Sequence, residues 1–179
     1  MAALSSAAPA VLMSQDANEL SALVEQYWLR TFHFALQLVG NREDAMDVTQ
    51  DAFLRLHRTW HRRDASRPFA PWFYAIVRNL AIDLLRKRAS RREVDYSKAP
   101  EMSSGPGPEV LAERSELKTK AWAAISRLPQ PQREVLILRD LHGFSYAEIA
   151  ETIGVPASTV NTRLHHARET LRSKLGRYF

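Results

Sequence analysis

The sequence contains no cysteine among its 179 residues, which excludes disulfide bonds, cysteine-ligated zinc and iron–sulfur clusters. It also has no apolar run of the ~18–20 residues that a membrane-spanning helix requires. The first residues carry no positively charged segment of the kind that begins a signal peptide. These absences favour a soluble, cytoplasmic protein with no insertion into a membrane.

Strand patterns and catalytic motifs are absent as well. No segment alternates apolar and polar residues in the way that a half-buried strand does. The chain has no glycine-rich phosphate loop, no HExxH helix and no GxSxG turn. Two neighbouring histidines, His165 and His166, would point about 100° apart on a helix, so they do not predict a shared metal ion. The sequence therefore predicts an all-α fold without a cofactor, and a binding protein in preference to an enzyme.

Positive charge is concentrated in two segments of this basic chain, whose formal net charge is +5. Residues 78–92 contain six basic residues and one acid, and residues 161–177 contain five basic residues and one acid. Clustered cations favour a polyanionic partner because binding releases the counterions condensed on its phosphates. Charge alone is equally compatible with two solvated helix faces.

Apolar residues recur at helical spacing through most of the chain. In the N-terminal part they predict a first helix that ends at Gly40. A second helix is predicted over residues 42–61, with Asn41 as its N-cap. A third begins near Pro71, whose fixed φ suits the first turn of a helix.

One segment differs in composition from the rest, since residues 93–109 contain three prolines and two glycines. Such a segment buries too little apolar surface to offset the entropy lost on ordering it. We therefore predict a flexible linker over residues 93–112, between small helical domains at residues 18–92 and 113–179. Residues 1–17, rich in alanine and serine, are predicted to be a disordered lead.

The C-terminal domain carries the pattern of a helix-turn-helix. Ser145 and Glu148 form a capping box at the start of one helix. Gly154 supplies the positive φ of the turn, and Pro156 opens the second helix. The outward face of that second helix carries groups that can reach base edges and phosphates, namely Asn161, Thr162, Arg163, His165, His166 and Arg168. An ordinary helical hairpin is the alternative, but the turn residues and both apolar stripes favour the DNA-binding motif.

A second candidate DNA surface lies on the third predicted helix. Aromatic rings beside a basic face are typical of proteins that bind single-stranded DNA, because a base can stack on a ring. Trp72 and Tyr74 provide such rings, and Asn79, Asp83 and Arg86 lie along one face of the helix. A place in the hydrophobic core is the alternative for the aromatic residues.

The second predicted helix has a different character, because its polar face is acidic. This face is formed by Asp47, Gln50 and Asp51, which are spaced at three and four residues. An acidic face on a basic protein is unsuited to DNA and suits a protein partner with a basic surface. A solvated face without a partner is an equal alternative from the residues alone.

Three segments, in this order, resemble bacterial RNA polymerase sigma factors of the extracytoplasmic-function (ECF) group of the sigma-70 family. Residues 42–60 (REDAMDVTQDAFLRLHRTW) resemble the polymerase-binding helix of that family. Residues 71–88 (PWFYAIVRNLAIDLLRKR) resemble the helix that recognises and melts the −10 element. Residues 128–171, which include the helix-turn-helix, resemble the domain that binds the −35 element.

The resemblance implies a function and a set of contacts. The chain would bind core RNA polymerase and direct promoter-specific transcription initiation by recognising both elements and nucleating strand opening. Asp47, Gln50 and Asp51 would contact the coiled coil of the β′ subunit, and the second domain would contact the β flap. The residues implied at the −10 element are Trp72, Tyr74, Asn79, Asp83 and Arg86. Those implied at the −35 element are Asn161, Thr162, Arg163, His165, His166 and Arg168. The family also implies an anti-sigma partner.

Two other classes of function remain open at the level of sequence. A conventional transcription regulator would use the C-terminal motif alone and the N-terminal half for dimerisation or sensing. Such a regulator should bind duplex DNA by itself as a dimer, because paired half-sites need paired recognition helices. An enzyme acting on nucleic acid would need a metal or acid–base site, which the motifs do not provide.

Overall fold

The computed structural model describes the backbone of residues 8–94 and 112–176, and the side chains of residues 18–90 and 119–176. Within these ranges the chain forms seven α-helices and no strand, which confirms the all-α prediction. None of the helices in the described part is both long enough and apolar enough to cross a membrane.

The N-terminal half consists of three helices that pack against one another. They are α1 (Ala8–Val39), α2 (Arg42–Thr59), which continues into a short 3₁₀ turn (Trp60–Arg62), and α3 (Phe69–Val94). Asn41 caps α2 as predicted, since its side-chain oxygen accepts a hydrogen bond from the backbone N–H of Asp44 at 2.9 Å. The cap fixes the sharp reversal between α1 and α2.

The C-terminal half contains the other four helices. They are α4 (Ala112–Ser126), α5 (Gln130–Leu136), which runs on into a π-helical turn (Ile137–Leu141), α6 (Tyr146–Ile153) and α7 (Ala157–Leu175). The helices α6 and α7 form the predicted helix-turn-helix.

The turn chemistry predicted for this motif is confirmed. Ser145 Oγ accepts from the Glu148 N–H at 3.2 Å, and the Ser145 N–H donates to the Glu148 carboxylate at 2.8 Å. Gly154 ends α6 with a φ of 71°, which is the left-handed conformation that glycine adopts without strain. These local interactions fix the angle at which α7 leaves α6.

Predictions of element ends are less accurate. Residues 8–17 belong to α1, although they were predicted to be part of a disordered lead. Several of them are alanine, leucine, methionine or glutamine, which are good helix formers, so composition alone did not justify disorder there. The predicted lead and linker otherwise fall largely on residues 1–7 and 95–111, which lie outside the described residues.

The two halves pack directly against each other, mainly through α3 and α6. Buried apolar residues form one continuous cluster that extends through both halves. At the junction, the ring centroid of Tyr74 on α3 lies 4.9 Å from that of Phe144, which precedes α6. The described chain is therefore closed, with its C-terminal half covering part of α3.

Candidate DNA and protein interfaces

The acidic face, formed by Asp47, Gln50 and Asp51, lies on the outer side of α2. All three residues are exposed, while the opposite side of the helix is buried in the core. Neither carboxylate forms an ion pair with any side chain that the structure describes. The face is therefore free to meet a partner in the closed chain.

An exposed leucine extends this face by one helical turn. Leu54 follows Gln50 by four residues and Asp51 by three, and 55% of its surface is exposed. Sequence reasoning missed it because leucine at helical spacing is usually assigned to a core. The signal was present, since Leu54 falls on the polar side of the helix and not with the buried Phe53 and Leu56.

The polar residues predicted on the third helix share one face of α3, which we call the α3 face: Asn79, Asp83 and Arg86. All three are exposed. Asp83 and Arg86 approach each other at 3.9 Å, and the Asn79 side-chain oxygen accepts from the guanidinium of Arg78 at 3.3 Å. The α3 face lines a cleft of about 600 Å³ between the two halves, which also includes residues of α5 and α7. The structure thus places predicted DNA-contacting residues at the boundary between the halves.

Tyr74, which was predicted to stack on a base, is covered by the C-terminal half in the closed chain. Its side chain is buried, with 1% of its surface exposed, between Phe34 and Phe144. Its hydroxyl oxygen is 3.2 Å from Nδ1 of His142 in the C-terminal half. A base cannot reach this ring while the chain is closed. Trp72 is half-buried and packs near Phe69, so it is accessible only in part.

The loop before α3 is held by its own polar groups. Asp64 accepts hydrogen bonds from the hydroxyl of Ser66 at 2.6 Å and from its N–H at 3.0 Å. These bonds lower the pKa of Asp64 below its ordinary value. The guanidinium of Arg63 lies 5.2 Å from the ring of Trp60. These contacts hold the loop beside the first turn of α3.

A buried carboxylate connects the two candidate DNA surfaces. Glu134 on α5 accepts from Arg78 Nε at 2.8 Å and from Arg78 Nη2 at 3.2 Å. Arg163 on α7 lies 3.6 Å from the same carboxylate, whose side chain is only 2% exposed. Arg163 was predicted to contact DNA and is instead largely engaged in this ion-pair network. Glu134 was not predicted, although an acid inside the apolar run of α5 indicates a buried partner.

The outer face of α7 presents most of the residues predicted at the −35 element. Asn161, Thr162, His165 and His166 are all exposed. Arg168 donates to Asp140 at 2.6 Å, and this hydrogen bond raises the pKa of the arginine above its usual range. In the described part of the chain, no group of three or more histidine and acidic side chains is placed to hold a metal ion. The outer face of α7 therefore presents polar side chains and one ion-paired arginine to a ligand that approaches from solvent.

His142, which sequence reasoning also missed, is the polar residue at the centre of the junction. We call its set of partners the His142 contact: Phe34, Gln37 and Tyr74. Nε2 of the ring is 3.0 Å from the side-chain oxygen of Gln37, and the ring meets that of Phe34 edge-on at 5.3 Å. Burial, and then the positive charges of Arg30 and His33, lower the pKa of His142 from 6.5 to about 4.

Comparison with known families gives two matches that together span both halves. The profile of Sigma-70 region 2 matches residues 23–91, which contain the acidic face and the α3 face. The profile of Sigma-70, region 4 matches residues 118–171, which contain Glu134, His142 and the helix-turn-helix.

Several curated proteins are similar over most of this chain. The ECF RNA polymerase sigma factor SigW of Bacillus subtilis is 30% identical over 171 residues, which cover 89% of this chain and 90% of SigW. The ECF RNA polymerase sigma-E factor of Escherichia coli is 33% identical and is covered over 88% of its length. The sigma factor SigE of Mycolicibacterium smegmatis is 35% identical, and this chain spans 61% of its length.

Two solved structures have the same fold. The sigma factor RpoE of Bartonella quintana, in complex with the anti-sigma factor NepR, matches with a TM-score of 0.79 and 23% identity over 88% of this chain and 97% of RpoE. CnrH, in complex with the cytosolic domain of CnrY, matches with a TM-score of 0.69 and 22% identity over 91% of each chain. The arrangement of helices in both halves is therefore shared with these proteins.

Proposed function

The chain belongs to the ECF group of the sigma-70 family, whose members direct promoter-specific transcription initiation, and we propose that its surfaces divide this task. Residues 18–92 bind core RNA polymerase and open the −10 element, and residues 113–179 bind the −35 element. The observation that carries this proposal is the contrast between an exposed, unpaired acidic face on α2 and the exposed faces of α3 and α7, where arginine side chains lie beside amide and imidazole groups. The chain then acts as a binding subunit, not as an enzyme, in the cytoplasm where polymerase works.

The acidic face is the proposed site for core polymerase. Asp47, Gln50 and Asp51 are exposed within two turns of one helix, and a rigid helix presents them without further ordering. The partner suited to them is a basic helical surface, for which the family resemblance names the coiled coil of β′. Leu54 adds an apolar contact at the end of this face.

The α3 face is the proposed site for the −10 element. Opening one base step costs about 1.4 kcal/mol of stacking, whereas capturing one flipped base returns about 1–3 kcal/mol. Asn79 and its neighbours can therefore nucleate opening of one or two steps, and the polymerase must hold the rest of the bubble. Tyr74 can take part only after the C-terminal half has moved away from α3.

The outer face of α7 is the proposed site for the −35 element, through Asn161, Thr162, His165 and His166. Arg168 and Arg163 would contribute phosphate contacts after leaving their carboxylate partners, Asp140 and Glu134. The C-terminal half would also contact the β flap. An anti-sigma partner is proposed because RpoE and CnrH, which share this fold, were solved with such partners or with a cytosolic domain bound.

Two substitutions separate the proposed tasks in transcription assays with core polymerase and a promoter template. Asp51→Arg reverses the charge of the acidic face and should lower affinity for core polymerase at least tenfold. Asn79→Ala should leave that affinity unchanged and reduce promoter opening. A template that is already unpaired at the −10 element should rescue Asn79→Ala and should not rescue Asp51→Arg.

Matched controls make the result specific. Glu25→Arg reverses the charge of another exposed acid in the N-terminal half, and Ser90→Ala shortens another exposed polar residue of α3. Both should behave as the unchanged chain does. The division of tasks is wrong if Asp51→Arg and Asn79→Ala impair the same step. The chain is instead a conventional regulator if it binds promoter duplex tightly as a dimer without polymerase.

A further inference from the structure

A histidine lies between the two halves of the closed chain. His142 follows the π-helical turn of the C-terminal half, and both polar partners of its side chain, Tyr74 and Gln37, belong to the N-terminal half. One ring nitrogen meets the Tyr74 hydroxyl at 3.2 Å, and the other meets the Gln37 oxygen at 3.0 Å. Because both ring nitrogens make polar contacts across the junction, a change in the protonation state of the ring changes those contacts.

The surroundings of the His142 ring disfavour a positive charge. Phe34 and Tyr74 enclose it with aromatic carbon, on rings centred 5.3 and 5.4 Å away. Helix α1 contributes two further ionisable groups, Arg30 and His33, whose positive charge disfavours a proton on His142. Helix α3 contributes only the neutral phenol of Tyr74, whose pKa is raised to about 12 by burial. No carboxylate among the described residues is paired with His142 to offset a charge there.

We propose that closure of the chain requires an uncharged His142, so that acidification releases the C-terminal half from α3. The inference does not depend on which promoter or polymerase surface the chain uses. Its consequence for function is that Tyr74 becomes accessible, and the cleft lined by the α3 face opens, when the histidine takes up a proton.

The direction of the effect follows from proton linkage. The groups that lower the pKa of His142 lie across the junction, so a ring released into water regains a pKa near its ordinary value of 6.5. The closed state therefore binds fewer protons than the open state. The contribution of His142 to the free energy of closing is fully present above about pH 6.5. Between pH 6.5 and 4 the equilibrium constant for closing falls about tenfold per pH unit. At pH 5 it should be about thirtyfold lower than at pH 7.5.

The test is a distance measurement between the halves as a function of pH. Because the chain has no cysteine, Ser21→Cys on α1 and Ser173→Cys on α7 give two unique sites for donor and acceptor dyes on exposed residues. Energy transfer in the full chain should fall between pH 7.5 and 4.5. Far-ultraviolet circular dichroism must stay constant over the same range, which shows that the helices remain folded.

Two substitutions of the histidine provide opposite controls. His142→Gln keeps a neutral group that can form hydrogen bonds, and its energy transfer should stay high and independent of pH. His142→Arg places a permanent charge in the junction, and its energy transfer should already be low at pH 7.5. His33→Gln removes the other histidine near the junction and should retain the change with pH.

The proposal is overturned if energy transfer in the unchanged chain does not depend on pH, if His142→Gln shows the same change, or if His142→Arg stays closed. Nuclear magnetic resonance of the histidine ring protons gives an independent check without substitution. The pH at which His142 takes up its proton must coincide with the change in energy transfer, and a mismatch also overturns the proposal.

A second readout connects the release to DNA and rests on the proposed function. At pH 7.5 a fluorescein-labelled single strand carrying a −10 sequence should bind His142→Arg more tightly than the unchanged chain. If energy transfer behaves as expected and the oligonucleotide does not distinguish the two proteins, the proton-controlled closure stands. In that case the assignment of the α3 face to single-stranded DNA fails.

Discussion

The outer faces of α2 and α3 are both polar, yet the closed chain treats them differently. Asp47 and Asp51 on α2 lie in open solvent without ion-pair partners among the described side chains. On α3, Tyr74 is buried and Arg78 is bound to a carboxylate of the C-terminal half. The surface proposed for polymerase is thus exposed in the free chain, whereas the surface proposed for DNA is partly occupied. This difference predicts an order of events in which a protein partner binds before DNA does.

The packing of the C-terminal half on α3 is stabilised mostly by buried residues. The ion pair between Arg67 and Glu151 spans the junction at 3.9 Å, but both side chains are exposed and such pairs contribute at most about 1 kcal/mol. Phe34 and Glu134 are instead almost inaccessible to water. Substitutions at buried and at exposed positions should therefore show how much each kind of contact contributes to the stability of the closed chain.

The largest effect is expected from Phe34→Ala. Phe34 has no exposed surface and packs against both Tyr74 and His142, so truncation should destabilise the folded chain by about 3–5 kcal/mol. Leu54→Ala removes an exposed leucine from the other face and should change stability by less than about 0.5 kcal/mol. Urea unfolding measures both free energies. When the affinity for core polymerase is measured on folded protein, it should fall for Leu54→Ala and not for Phe34→Ala.

That comparison fails if the two substitutions destabilise the chain equally, since α2 would then be as well covered as α3. It also fails in a second way if Leu54→Ala leaves the polymerase affinity unchanged. Leu54 would then be an isolated surface residue of the kind found on most proteins.

The helix positions were predictable because their determinants are close together in the chain. Asn41 and Ser145 each bond to a residue three positions further on, and Gly154 ends its own helix. The cover over α3 was not predictable in this way. Tyr74 meets a histidine 68 positions away, and Arg78 meets a carboxylate 56 positions away. Periodicity identifies a polar or aromatic face, but it does not say which other element lies on that face.

The candidate site residues show the same limit. The sequence correctly grouped Asn79, Asp83 and Arg86 on one face of α3 and the outer residues of α7 on another. It assigned Arg163 to DNA because arginine at that spacing suits a phosphate, and could not foresee the ion pair with Glu134. Whether these residues contact a promoter remains a prediction that the substitutions above test.

A smaller effect than that of Phe34→Ala is expected from Glu134→Gln. The substitution removes the charge that joins Arg78 to Arg163 in a buried setting, and it should cost about 2–3 kcal/mol. Asp140→Asn breaks a pair whose side chains are 46% and 38% exposed, and it should cost less than about 1 kcal/mol. Thermal unfolding at low and high salt distinguishes them, because salt should remove the difference only for the exposed pair. Equal salt sensitivity would mean that water reaches Glu134.

Among the substitutions expected to destabilise the C-terminal half and its contact with α3, a smaller effect than that of Glu134→Gln is expected at the cap of α6. Ser145→Ala removes one hydrogen bond to the Glu148 N–H and should destabilise the chain by about 1 kcal/mol. The side-chain and backbone bonds to Ser145 lower the pKa of Glu148, so their contribution is present at neutral pH and is lost as the pH falls below about 4.5. Unfolding curves at pH 7 and pH 3.5 should therefore show a larger difference between Ser145→Ala and the unchanged chain at pH 7. If the difference is the same at both values, the charge of Glu148 plays no part in the cap.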